Sequence, residues 1–142
     1  GYVDEANGKG ATIRGEYDMT VGPEGKYIGD NSMRCAAFST AGGSAKLIGF
    51  VLESGSSNYT HDNTGGGGVH GGTRDHVVSN CVIRNCYARR GGGTSSVGVY
   101  GSVVSNCFAK LTGGGCANCT IRDSQICNNR AETTNQSGGR LR

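Results

Sequence analysis

The side chains best suited to chemistry gather in one stretch. Glu53, His61, Asp62, His70, Arg74, Asp75 and His76 lie in or beside residues 54–76, and all three histidines of the chain are among them. Paired carboxylates there could bind Ca²⁺ or do acid–base work on a polysaccharide. Glu53, Asp62, Arg74, Asp75 and His76 are therefore the candidate catalytic residues, with no cofactor expected beyond Ca²⁺ under this reading. The alternative is that the group decorates a solvated loop. Cys116-x-x-Cys119, with Cys127 nearby, invites a metal reading, yet a second ligand pair at zinc spacing is missing, so no metal centre is expected. Gly8-Lys9-Gly10 lacks the spacing and the Lys-Ser/Thr of a phosphate loop. Asn58-Tyr59-Thr60, Asn118-Cys119-Thr120 and Asn135-Gln136-Ser137 are glycan-acceptor triplets, which chance supplies in a chain this rich in Asn, Ser and Thr.

The elements that would carry these residues repeat. Val77-Val78-Ser79-Asn80-Cys81-Val82-Ile83-Arg84-Asn85-Cys86 returns as Val103-Val104-Ser105-Asn106-Cys107-Phe108-Ala109-Lys110 and, degraded, as Thr120-Ile121-Arg122-Asp123-Ser124-Gln125-Ile126-Cys127. Leu47-Ile48-Gly49-Phe50-Val51-Leu52-Glu53 fits the same frame. A glycine cluster precedes each copy, and Gly42, Gly66, Gly91, Gly113 and Gly138 mark a period of 22 to 25 residues, within the range of stacked-repeat folds. β-Branched pairs, Asn and glycine clusters point to short strands joined by tight corners, with room for three strands of ~4 residues in each coil.

Placing the corner at Gly49, Asn80, Asn106 and Asp123, residue types that tolerate a left-handed backbone, sorts the side chains. Leu47-Val78-Val104-Ile121, Phe50-Cys81-Cys107-Ser124 and Leu52-Ile83-Ala109-Ile126 become inward columns. Ile48-Ser79-Ser105-Arg122 and Glu53-Arg84-Lys110-Cys127 become outward ones, as a period of two requires. Val51-Val82-Phe108-Gln125 is outward yet largely apolar: either ordinary exposed apolar surface or, through Val51, Val82 and Phe108, a candidate contact stripe. Asn80 and Asn106, with Asp123 at the same corner, are expected to form a hydrogen-bonded ladder, and Asn85 and Asn128 a second. Cys81 and Cys107 are expected to stack one coil apart as buried thiols, and Cys116 to take the place of Val69 and Val99.

These residues resemble the right-handed parallel β-helix superfamily with the pectate-lyase-like fold. More narrowly they resemble secreted bacterial proteins with polymorphic-outer-membrane-protein-like repeats. Gly66-Gly67-Gly68-Val69-His70-Gly71, Gly98-Val99-Tyr100-Gly101 and Ser32-Met33-Arg34-Cys35 followed by Leu47-Ile48-Gly49-Phe50 carry the likeness. The resemblance implies an all-β solenoid of about five coils, secreted or on a bacterial cell surface. It implies a structural or adhesive rod that self-associates as a homo-oligomer or filament, or binds a glycan or host-surface ligand. The wider superfamily adds lyases, in which an arginine such as Arg74 or Arg84 would serve as the base.

Composition agrees with one such domain. The 142 residues include 27 glycines, one proline and no tryptophan, and hydrophobic residues make up 35%. That is thin for a globule but enough for a narrow stacked core. No run of about 18 apolar residues exists, so no membrane span is expected. A net charge of +3 with dispersed arginines gives no nucleic-acid footprint. Residues 1–31 lack the repeat and read as an irregular first coil or cap, 32–142 as repeats with a long insertion at 54–76. The whole reads as an excised piece of a longer solenoid.

Overall fold

The computed structural model describes residues 3–4, 9–18, 31–39, 42–57 and 65–132, and these are all-β, with seventeen strands and no helix. The histidine and aspartate at 61 and 62 and the last glycine marker at 138 lie outside the described residues. Almost all strand pairing is parallel and falls into four sheets. The first holds β3 (Ala36–Ala37), β6 (Val69–His70), β10 (Thr94–Ser95) and β14 (Cys116–Ala117). The second holds β4 (Lys46–Ile48), β7 (Val77–Ser79), β11 (Gly98–Tyr100) and β15 (Thr120–Arg122). The third runs from β2 (Lys9–Arg14) through β5 (Phe50–Glu53), β8 (Val82–Arg84) and β12 (Val103–Ser105) to β16 (Gln125–Cys127). The fourth holds β9 (Tyr87–Arg90), β13 (Phe108–Thr112) and β17 (Arg130–Ala131), with Ser56 bridging to Tyr87. On the third sheet the outer edge of β2 is paired antiparallel by β1 (Val3–Asp4).

The chain visits the four sheets in the same order from β6 to β9, β10 to β13 and β14 to β17. Each passage therefore contributes four strands, where three longer ones were expected. Twenty-two residues separate Thr94 from Cys116, Gly98 from Thr120, Val103 from Gln125 and Phe108 from Arg130. Within a passage the unit is five residues, as from Val77 to Val82 to Tyr87.

A bend separates the strands of each passage, and the chain turns there through a left-handed residue. Ser96, Gly101, Asn106 and Gly113 serve one passage, with φ of 53°, 54°, 52° and 64°. Asn118, Asp123 and Asn128 recur at the same bends one passage later, with φ of 54°, 49° and 54°. Asn and Asp tolerate this region better than other L-residues, because a short polar side chain can bond locally. The corner amides are satisfied by the backbone: Asn80 N–H donates to the Tyr100 carbonyl at 3.1 Å, Asn85 N–H to Ser105 at 3.3 Å and Ser96 N–H to Ala117 at 3.0 Å.

The register moves several expected columns. Val78 pairs with Leu47 and Val99, and Val99 with Ile121. Val104 pairs with Ile83 and Ile126, and Ile83 with Leu52. Val103-Val104-Ser105-Asn106-Cys107 thus continues the column of Val82-Ile83-Arg84-Asn85-Cys86, not that of the near-identical Val77-Val78-Ser79-Asn80-Cys81. The expected ladder of Asn80 on Asn106 is replaced by two corner columns, Gly49-Asn80-Gly101-Asp123 and Ser54-Asn85-Asn106-Asn128. Cys81 stands over Ser102, and Cys107 under Cys86. Cys116 pairs with Thr94, and Thr94 with Val69, whereas Val99 belongs to the second sheet.

The core is the central residue of each strand plus the residue after each corner. Leu52, Ile83 and Val104 are fully buried, as are Val78 and Val99, Val69 and Thr94, and Ala88 and Ala109. A side chain at Gly93 would bring its Cβ within 2.5 Å of Val104 Cγ1, so the stacked glycines are where the narrow core leaves no volume. Replacing Asn106 with Val should cost about 1–2 kcal/mol in urea unfolding, and replacing it with Gly close to nothing. Equal stabilities for the two variants would contradict the left-handed corner.

Candidate functional site

Among the described residues, the candidate catalytic residues do not converge. Glu53 ends β5 on the outer face of the third sheet, between Arg14 of β2 and Arg84 of β8. Its Oε1 accepts from Arg14 Nε at 2.9 Å and Nη2 at 2.8 Å, and its Oε2 from Arg84 Nε and Nη2 at the same two distances. Both carboxylate oxygens are committed, and the hydrogen bonds from Arg14 and then Arg84 hold the carboxyl below its ordinary range. Glu53 is therefore a clamp across three neighbouring strands. Arg84, the proposed lyase-type base, is the other half of that clamp.

His76 is also structurally engaged. Its Nδ1 accepts the Ala45 N–H at 2.9 Å, so Nε2 carries the proton and donates to the Ser39 carbonyl at 3.0 Å. Phe38 stacks on the ring at 4.9 Å with 9° between planes. The imidazole, 3% exposed, ties Phe38, Ser39 and Ala45 to the start of β7. Arg74 and Asp75 are exposed in the short turn before it. Asp62 falls outside the described residues, as does His61. Of the stretch read as insertion, residues 65–71 belong to the repeat: Gly67 N–H donates to Gly92 at 3.0 Å, and Val69–His70 form β6. Among the described residues no group of three or more His, Cys, Asp or Glu is placed to hold a metal ion, and no helix is long and apolar enough to cross a membrane.

The expected contact stripe is not one surface. Val51 and Val82 pair across β5 and β8, and the next residue in their column is Val103. Phe108 sits on the fourth sheet, paired with Tyr87. Val51 is 6% and Phe108 8% exposed. An aromatic row covers this side: Tyr87 lies 6.1 Å from Phe108, and Tyr17 meets Tyr87 edge-on at 5.0 Å while its hydroxyl donates to the Asn85 carbonyl. Burial pushes the Tyr17 hydroxyl up to about 12.

All seven cysteines are free thiols; Cys81 and Cys107 are buried as expected, but the sequence pattern did not show what their thiols bond. Cys81, Cys86, Cys107 and Cys119 each follow a left-handed corner and donate to the carbonyl two residues back, at 3.2 to 3.3 Å. Ser102 and Ser124 do the same at 2.9 and 2.8 Å, and each hydroxyl also accepts an amide of the neighbouring repeat, Cys81 N–H at 3.1 Å and Ser102 N–H at 3.1 Å. Asn129 bridges in the same place, accepting Cys107 N–H and donating to the Val104 carbonyl, both at 2.9 Å. Cysteine at these sites is a small donor that tolerates burial. Cys86 is raised by the thiol of Cys107 together with burial, and Cys35 by Cys86 and then burial. The periodic alternation of Cys with Ser in one column could have revealed this role had the register been known.

Cys116 and Cys119 differ. Thr94 Oγ1 lies 3.4 Å from Cys119 Sγ, and Thr94 is in register with Cys116. The neighbouring Cys116 thiol outweighs burial and lowers Cys119 to about 7, while Cys116 is raised.

Comparison with protein-family models, with curated proteins and with solved structures gave no match in any of the three.

Glu53→Gln should lower stability by about 1 kcal/mol, because the two arginines reach well into solvent. The folded carboxyl lies below its ordinary value of 4.5, so the clamp contributes fully above that pH and is lost as pH falls toward the folded value. Thermal melts from pH 7 to pH 3 should therefore show the wild type losing its advantage over Glu53→Gln. A constant difference would contradict the clamp. Phe108→Lys, at a surface stripe, would leave the fold intact; buried beside Tyr87, it should instead cost about 3 kcal/mol or more, read by urea unfolding.

Proposed function

We propose that the chain forms a right-handed parallel β-helix whose work is structural: a stiff, secreted or cell-surface solenoid of bacterial type that associates with further copies through its open strand edges. The observation that carries this reading is the destination of its polar side chains. Glu53, Arg14, Arg84, Ser102, Ser124, Asn129 and His76 spend their hydrogen bonds between neighbouring passages of the chain or on its own backbone. Residues used in this way build length and stiffness.

Support for association comes from the last passage. Its strands β14 to β17 pair on one side only among the described residues. Its core residues Ile121 and Ile126 are only half-buried, whereas Val99 and Val104 directly before them are fully covered. Parallel strands with an open edge and a continuing apolar column can accept another copy. These open edges thus replace the Val51, Val82 and Phe108 stripe as the contact. Adhesion to a host or glycan surface would be a property of what such a rod carries outward.

Sedimentation velocity over a hundredfold concentration range, with and without reductant, tests this. Growth in mass that persists in reductant is expected. A strict monomer at every concentration would overturn edge-to-edge association. So would growth abolished by reductant, which would assign it to a disulfide through the exposed Cys127.

A further inference from the structure

The corner at Asn118 brings two thiols and a hydroxyl together. Cys116 holds the inward position of β14 and is 6% exposed, directly in register with the fully buried Thr94. Cys119 is the first residue past the corner, half-buried against the core. Its sulfur lies 3.4 Å from Thr94 Oγ1 and donates to the Ala117 carbonyl at 3.3 Å, so Thr94, the register partner of Cys116, joins the two cysteines. The fully buried Cys86, by contrast, lies among thiols of other repeats and is held protonated. Among the described residues, β14 pairs with β10 alone.

We propose that Cys116 and Cys119 form a redox-active dithiol that closes to a disulfide by exchange with a low-molecular-weight disulfide. Cys119, as thiolate, attacks one sulfur of the small disulfide; a mixed disulfide forms and one small thiolate leaves. Cys116 then gives up its proton and attacks the Cys119 sulfur, so that the protein disulfide forms and the second small thiolate departs. Two protein thiols are oxidised, one small disulfide is reduced to two thiols, and no other reactant is needed. Cys119 suits the attacking role because the neighbouring thiol and hydroxyl stabilise its anion and because it is the more exposed of the two. Cys116, buried and raised, suits the resolving role. Thr94 acts as a positioning residue. The product would clip the Asn118 corner covalently within one passage of the repeat.

The test treats the full chain with oxidised glutathione, alkylates the remaining thiols and maps peptides by mass. In the wild type the 116–119 peptide should lose two hydrogens and resist alkylation. Cys116→Ser should retain glutathione on Cys119, and Cys119→Ser should leave Cys116 to be alkylated. Alkylation of Cys119 should run about tenfold slower at pH 6 than at its plateau, as ionisation near pH 7 requires. Thr94→Val should slow glutathione capture at Cys119 without preventing closure. Glutathione found on Cys127 alone, with Cys116 and Cys119 both alkylated afterwards in the wild type, would overturn the proposal whatever the variants do.

Discussion

Each passage of this chain must turn at its bends while keeping its backbone amides paired with the passages above and below. A right-handed residue at the bend would carry the strand past its neighbour and break that pairing. The left-handed positions are therefore the constraint on which the rest depends, and glycine, asparagine, aspartate and serine hold them in turn at Gly101, Asn106, Asp123 and Ser96. Between bends most strands send a single side chain inward. The core is consequently a set of narrow columns, such as Leu52-Ile83-Val104-Ile126, and a modest share of apolar residues suffices to fill it.

The residue after each corner completes the design. It faces the interior at the point where strand pairing is interrupted, so it must be small and must donate or bridge. Cys81, Ser102 and Ser124 in one column, and Cys86, Cys107 and Asn129 in the next, meet that demand with different chemistry. The abundance of free thiols follows from packing, with Cys116 and Cys119 as the place where two of them meet within one passage. The outward charges obey the same economy of contact: Glu53 joins three strands through two arginines in place of facing a substrate.

Much of this was legible in the sequence. Strand type, repeat period and the left-handed role of Gly49, Asn80, Asn106 and Asp123 follow from residue types, and all four have positive φ. The register did not follow, for a definite reason. The repeat is subdivided into five-residue units of strand and corner, and sliding one unit preserves the identity of Val-Val-Ser-Asn-Cys at 77–81 and 103–107. It moves each side chain to the next sheet without moving it from core to surface, so pattern alone cannot reject the slide. The separation can: Val103 pairs with Val82, 21 residues before it, a spacing shared by Gly98 and Val77. Candidate site residues failed differently, since Glu53 and His76 have types suited to catalysis and partners visible only in three dimensions.

The register is also the claim that can be tested most directly. Nuclear Overhauser contacts among methyl groups in a sample labelled at Ile, Leu and Val report the columns themselves. Contacts are expected from Leu52 to Ile83, Ile83 to Val104 and Val104 to Ile126, with Leu47, Val78, Val99 and Ile121 forming a separate series. A spectrum in which Val104 contacts Val78 and Ile121 while the Ile83 to Val104 contact is missing would contradict the four-sheet arrangement and everything built on it.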